Sequence, residues 1–276
     1  MNLKDRIGVD IGRRAKLEDG IEWAGKNDVK FIDIQLDAGN NALTTFDDRR
    51  TAGVRALLDR YGITLGLHTL SAVNVAEYAP YISEAVDTYL KSYIDIYPKL
   101  GASSIVVHAG FHFTSDIDMR IQAGCDRLQR ITEYAEKKNA VLFLENLNVE
   151  PQDAEVHYLA HTINEWMYYF DRIKSPNLRM SFTANHAHLV EEGVDGFIDA
   201  IDFSMVGEVR LADCFRKGKE EHLIPGAGDM DFGKIFKRIE AAGFKGHYMN
   251  AFGTLEDMLI GREFEVARAQ EAGVAV

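Results

Sequence analysis

The sequence is short of cysteine, of basic charge and of long apolar runs, and each shortage removes a class of function. Its two cysteines, Cys125 and Cys214, lie far apart, which reads as reduced thiols in a cytoplasmic protein rather than a disulfide framework. Asp and Glu number 43 against 31 Lys and Arg, a formal net charge of -12. That excess repels a phosphate backbone, and no segregated basic face offsets it, so nucleic acid is not an expected partner. No apolar run approaches the ~20 residues of a membrane span. The start, MNLKDRIGVDIG, has neither an apolar h-region nor a small-residue cleavage site. No membrane partner is expected, and the expected location is the cytoplasm. A glycine-rich dinucleotide fingerprint is missing after every apolar run, and no linker or low-complexity stretch divides the chain.

What is present is a regular alternation. Eight short apolar runs, "RIGVDIG", "FIDIQLD", "TLGLHTL", "SIVVHAG", "VLFLENLN", "LRMSFTANH", "VGEVRLADC" and "GHYMNAFG", read as strands. Between them lie segments of helical period, among them "FDDRRTAGVRALLDRYG", "YISEAVDTYLKSYIDIYPKLG", "DMRIQAGCDRLQRITEYAEKKN", "INEWMYYFDRIK" and "DFGKIFKRIEAAG". In the third, Ile121, Cys125, Leu128 and Ile131 fall on one face. Gly62, Gly101 and Gly243 each follow a helix and precede a strand, as C-terminal caps do. Strands this continuously apolar suit a parallel sheet buried on both faces. The economical solution is an α/β fold, a closed (β/α)8 TIM barrel, spanning residues 1–276 as a single domain; such barrels commonly run near ~250 residues.

Catalytic groups of such barrels gather at the C-terminal strand ends, and the unusual polar residues stand there. His68 follows "LGL", His108 follows "IVV", Glu145 follows "LFL" and His186 follows "SFTAN"; Arg210 and Asp213 come on the seventh strand and Asn250 on the eighth. The stretch "LRMSFTANHAHL", residues 178 to 189, reads as a buried strand running into a loop with His186 and His188, the second of them structural. His157 and His161 fall in a polar connection, His112 lies in the loop beside His108, and His247 precedes the last strand. In "EEHLIPGAGDMDF", Glu220 and His222 are two apart and can point the same way from an extended loop. "PGAGD" is a turn and Asp231 an N-cap.

At these residues the sequence resembles the xylose isomerase-like TIM-barrel superfamily, which groups sugar phosphate isomerases and epimerases with AP endonuclease (endonuclease IV-type) enzymes. The resemblance covers essentially the whole chain, through "LGLHT", "VVHAG", "LFLENLN", "ANHAHL", "EEHLIPGAGDMDF" and "GFKGHYMNAFG". The sugar enzymes of this family hold one divalent cation by a Glu after strand five, an Asp after strand six, a His after strand seven and a Glu after strand eight. Here Glu145 matches the first ligand, while Thr183, Arg210 and Asn250 (or Ala251) stand at the other three. A guanidinium has no free lone pair for a metal. The resemblance to endonuclease IV-type enzymes implies two other zinc-binding groups, His68, His108 and Glu145, and His186, Glu220 and His222, and an N,N,O set is a plausible open zinc site.

The resemblance implies an isomerase or epimerase acting on a small keto-sugar, polyol or sugar acid, and because three of the four usual ligands are replaced it is expected to work without the usual divalent cation. Glu145 would abstract a proton α to a carbonyl, with His186 or His222 as acid/base partner. His68, His108, Arg210, Glu220, Asn250 and Thr183 would contact substrate. The cofactor is either none or a divalent cation, Zn²⁺ or Mn²⁺. Arg210 could replace the cation's charge or grip a carboxylate, or instead pair internally with Asp213, Glu145 or Glu208. Two alternatives stay open, a metal-dependent lyase, dehydratase or decarboxylase and a non-catalytic metabolite-binding barrel. The helix "EWMYYF" reads either as packing against the barrel wall or as a homo-oligomer contact.

Overall fold

The computed structural model describes residues 1–276. Eight parallel strands close into a barrel: β1 (Ile7–Gly12), β2 (Phe31–Ile34), β3 (Thr64–His68), β4 (Ser104–Val107), β5 (Leu142–Glu145), β6 (Leu178–Thr183), β7 (Val206–Leu211) and β8 (His247–Asn250). Each neighbour in sequence is the neighbour in space, and β8 pairs with β1 to remove both edges. Around them run helices α1 (Leu17–Lys26), α2 (Asp48–Tyr61), α3 (Pro80–Leu100), α4 (Ile117–Lys137), α5 (Ile163–Arg172), α6 (Ala184–Leu189), α7 (Gly193–Ala200), α8 (Phe232–Ala241) and α9 (Leu255–Glu271). No helix is long and apolar enough to cross a membrane.

Local chemistry sets the helix ends. The Asp47 side chain accepts from the Arg50 N–H to start α2, Thr162 caps α5, and Asp231 caps α8 by accepting from the Lys234 N–H. Gly62 and Gly101 close α2 and α3 in the left-handed region, at φ 62° and 67°, where a Cβ is disfavoured. On α5, Trp166, Tyr169 and Phe170 are buried, and the Trp166 indole N–H donates to the Leu144 carbonyl of β5 at 3.2 Å. The aromatic stripe of "EWMYYF" therefore packs on the barrel wall.

Two local features differ from the sequence reading. His186 and His188 lie not in a loop but on α6, which begins directly after β6. Phe111–His112 and His157–Tyr158 form an antiparallel ribbon over one side of the barrel mouth, with the His112 and His157 rings stacked 5.4 Å apart. The pairing of two segments 45 positions apart leaves no local pattern in the chain.

Strand alternation decides which side chains enter the barrel. On β7, Glu208 and Arg210 point inward, and Arg210 is in register with Thr183 of β6 and Met249 of β8. The alternation then turns Asn250 outward, where its amide donates to Glu265 of α9 at 3.0 Å and to the Met258 carbonyl. His247 is part of β8 rather than a residue before it, and it bonds Glu208 inside the barrel at 3.0 Å.

Candidate active site at the barrel mouth

The C-terminal strand ends enclose a polar cavity of about 280 Å³. Of the residues singled out in the sequence, His68, His108, Glu145, His186, Arg210, Glu220 and His222 line it, and Thr183 and Asn250 do not. Asn250 faces α9, and Ala251 takes the mouth position beside it. Thr183, buried beneath Glu145, donates its hydroxyl to Glu145 Oε1. Its hydroxyl is engaged by that carboxylate rather than turned to the cavity.

Glu145 is the hub of the mouth. Its Oε2 lies 3.2 Å from His108 Nε2 and 3.5 Å from His68 Nε2, and the two Nε2 atoms are 3.2 Å apart. The outer ring nitrogens face acceptors. His108 Nδ1 lies 3.4 Å from the Thr69 hydroxyl, which itself donates to the Val106 carbonyl, and His68 Nδ1 lies 3.7 Å from Asp33 Oδ2. Both Nε2 atoms thus face the same point as Glu145 Oε2. Burial would push the Glu145 carboxyl up, but hydrogen bonds from His108 and His68 hold it well below the usual carboxylate range. Burial pushes His108 down. It also opposes charge on His68, as does Arg210, but Asp33 and Glu145 raise that ring to about 9.

A second group stands beside it. His186 Nδ1 donates to the Asn146 carbonyl at 2.9 Å, and His222 Nδ1 donates to the Ala251 carbonyl. His222 Nε2 lies 2.6 Å from Glu220 Oε1, and His186 Nε2 lies 3.8 Å from the same oxygen. Burial pushes His186 down, whereas Glu220 outweighs burial at His222 and raises it. Nothing in sequence spacing joins His186 to the Glu220 loop. They meet because β6 and β7 are neighbours.

Arg210 departs most from expectation. Its Nη1 donates to Asp33 Oδ2 and to Glu208 Oε1, the latter at 3.0 Å, and its Nη2 lies 3.7 Å from Asp10 Oδ2. Only 3% exposed, the guanidinium forms cavity floor with three carboxylates around it. Of the internal partners expected, Glu208 is one; Asp213 instead accepts the main-chain N–H groups of Gly226 and Gly228, tying down the "PGAGD" turn. Burial opposes the charge on Asp33, and Arg210 brings that carboxyl far below its usual range. Asp10, pushed up by burial and by Asp33, sits at about 7.

Asp10, Gln35, Ser71, Asn148, Glu150 and Tyr158 also line the cavity. Asp10 and Asp33 carried a legible signal, a single carboxylate inside the apolar runs "GVDIG" and "FIDIQ". His188 lies outside the mouth, paired with Asp229 at 2.7 Å.

A family model for the xylose isomerase-like TIM barrel matches residues 21–257. No curated protein matches the sequence. Among solved structures, a D-tagatose 3-epimerase-like protein superposes with a TM-score of 0.82 at 19% identity, over 97% of this chain and 98% of that one. D-psicose 3-epimerase from Clostridium cellulolyticum H10 gives 0.79 at 17% identity, over 98% and 100%. The 3-keto-D-glucoside 4-epimerase of E. coli gives 0.75 at 14%, over 96% and 99%. At such identities the likeness is one of fold.

Proposed function

The chain belongs to the xylose isomerase-like TIM-barrel family, and from that premise and the geometry of the mouth we propose that it is a keto-sugar isomerase or epimerase. The observation that carries the reading is the convergence of His68 Nε2, His108 Nε2 and Glu145 Oε2, with separations of 3.2 to 3.5 Å. Ligands about 2.0–2.1 Å from a tetrahedral Zn²⁺ sit ~3.3 Å from one another, so the three atoms fit one cation with a free coordination position. The second group fits less evenly, at 2.6 and 3.8 Å. When bound, the cation would polarise the oxygens of a ketose and so acidify the C–H beside its carbonyl. This favours the metal-dependent form of the reading over the metal-free one.

The chain's own groups then divide the remaining work. Glu145, with Thr183 on one oxygen and two imidazoles on the other, is suited to hold rather than to abstract. His186 donates through Nδ1 to Asn146, leaving the Nε2 lone pair toward the cavity as the base. His222, donating through Nδ1 and held 2.6 Å from Glu220 through Nε2, is the proton donor. Ser71, Asn148 and Gln35 offer hydrogen bonds to sugar hydroxyls. The sugar-acid variant of the reading loses its support, because Arg210 is already matched by Asp33, Glu208 and Asp10.

The test is deuterium exchange. Chelated and Zn²⁺- or Mn²⁺-restored protein are incubated in D2O with ketopentoses and ketohexoses, and the carbon next to the carbonyl is followed by NMR. Exchange is expected in the restored protein and is lost in His186→Ala and Glu145→Gln. Exchange in none of the ketoses after metal restoration sinks the proposal.

A further inference from the structure

All but two of the strand tips around the mouth already have a task in the reaction proposed above. The cation point is held from β3, β4 and β5 by His68, His108 and Glu145, and the two proton-handling imidazoles, His186 and His222, follow β6 and β7. After β8 comes Ala251, whose carbonyl is taken by His222. That leaves β1 and β2, which bring Asp10 and Gln35 to the well. In the closed eight-stranded order β1 lies across the barrel from β5, so Asp10 stands on the wall opposite Glu145. A ketose whose carbonyl is at the cation therefore directs its longer carbon tail at that wall.

The Asp10 side chain is held in place, and one of its oxygens is left open. The β1–β2 pairing slips by one residue between Asp10 and Gly12, a bulge of the kind that re-aims side chains at a barrel rim. Gly12, at φ 53°, makes the turn beyond it, and a Cβ there would stand 2.9 Å from Asp10 Oδ1. No protein donor reaches Asp10 Oδ2. Arg14 Nη1 lies 3.6 Å away and Arg210 Nη2 3.7 Å, both outside hydrogen-bonding reach. Arg14 instead donates to the carbonyls of Gly253 and Asp10, and Arg210 Nη1 to Asp33 and Glu208. Gln35 is fixed through its main-chain N–H, which donates to the Gly12 carbonyl at 3.3 Å, while its side-chain amide has no protein partner. The wall away from the cation thus offers one charged acceptor and one amide, both unmatched.

We infer that Asp10, assisted by Gln35, is the specificity-determining group of this site: it binds the terminal hydroxyl of the ketose and selects a sugar whose far end is a free CH2OH. A hydroxyl donating to a carboxylate makes a charge-assisted bond, roughly twice as strong as a neutral one. A sugar lacking that hydroxyl leaves the carboxylate desolvated and unpaired, the situation in which a polar site discriminates most. A phosphate or carboxylate at the same end meets Asp10 directly. Glu150 and Glu220 line the same well, and its one guanidinium is already matched, so like charges oppose an anionic tail. The inference rests on the keto-sugar reading of the well and adds to it which end of the sugar is recognised, and by which residue.

Calorimetry on cation-restored protein tests it at pH 8, above the value of about 7 at which Asp10 sits. The tightest-bound of D-fructose, D-psicose, D-tagatose and D-sorbose is compared with its 6-deoxy and 6-phosphate forms, on wild type and Asp10→Asn. Wild type should bind the parent sugar at least about tenfold tighter than either derivative, the scale of one charge-assisted hydrogen bond. Asp10→Asn should lose about tenfold for the parent and leave the 6-deoxy sugar unchanged, a split that a merely structural role does not produce. Wild type binding the 6-deoxy or the 6-phosphate sugar as tightly as the parent overturns the assignment, and so does an Asp10→Asn loss shared by parent and 6-deoxy sugar. Binding of none of the four ketoses by wild type sinks the keto-sugar reading itself, and the assignment with it.

Discussion

Arg210→Met removes the one guanidinium in the barrel interior while keeping most of its volume. Three carboxylates lose a partner, Asp33, Glu208 at 3.0 Å and Asp10 at 3.7 Å; Asp33 and Glu208 are fully buried, while Asp10 lines the mouth cavity. Breaking a buried pair on one side costs about 3–5 kcal/mol, out of a total that for most proteins is only about 5–15 kcal/mol. Tm should drop by roughly 10 °C. The pH dependence carries the sharper signature. In wild type, burial raises the Asp33 and Glu208 carboxyls, but Arg210 overcomes it and holds both below their ordinary range. Their contribution is therefore present above the unfolded pKa, about 4, and lost as pH falls further. In the variant, burial is opposed by His68 at Asp33 and by His247 at Glu208 but no longer by Arg210, so both carboxyls move up and the stability they contribute at neutral pH shrinks as pH rises. Urea denaturation from pH 5 to pH 8 should show a gap between the two proteins that is widest at pH 8 and narrows toward pH 5. A gap under about 1 kcal/mol that does not change with pH would refute the account of Arg210 as an internally matched charge, because the scale of a broken buried pair is several times larger.

Two other substitutions test the placement of residues beneath the site. Thr183→Val removes the hydroxyl that Glu145 Oε1 accepts, so cation affinity measured against a competing chelator should fall roughly ten- to a hundredfold; an affinity within a factor of two of wild type would mean Thr183 does not orient Glu145. Glu265 is pushed up to about 8 by burial, with Asn250 as its hydrogen-bond donor. Its protonated form is the one that folds well, so wild-type stability is retained below the unfolded pKa of about 4.3 and lost as pH rises through 8. Glu265→Gln should gain on wild type steadily from pH 5 to pH 8 in denaturant midpoint, and parallel profiles would contradict this.

The barrel was legible because its determinants are local. Apolar runs separated by amphipathic segments, and Gly62 and Gly101 behind their helices, specify strand, helix and stop within a few residues of each position. His68, His108 and Glu145 could be read as mouth residues because each ends an apolar run, and a parallel barrel sends all such ends to one face. Ranking the other polar residues needed the phase of each strand. One step of alternation turns Asn250 away toward Glu265 and gives the mouth Ala251 instead, and nothing near position 250 states that phase.

What the sequence determined by itself, then, was the order of the elements and which of their ends carry imidazole and carboxylate. Partnership was decided by closure of the sheet. Arg210 meets Asp33 across 177 positions of chain, His186 meets the Glu220 loop because β6 lies against β7, and two imidazoles converge on one oxygen of Glu145 to make a cation-sized gap. A charge in a chain is only a charge. Whether it grips a ligand or is matched internally depends on which other charges the fold places within a few ångströms, where the low dielectric makes them count.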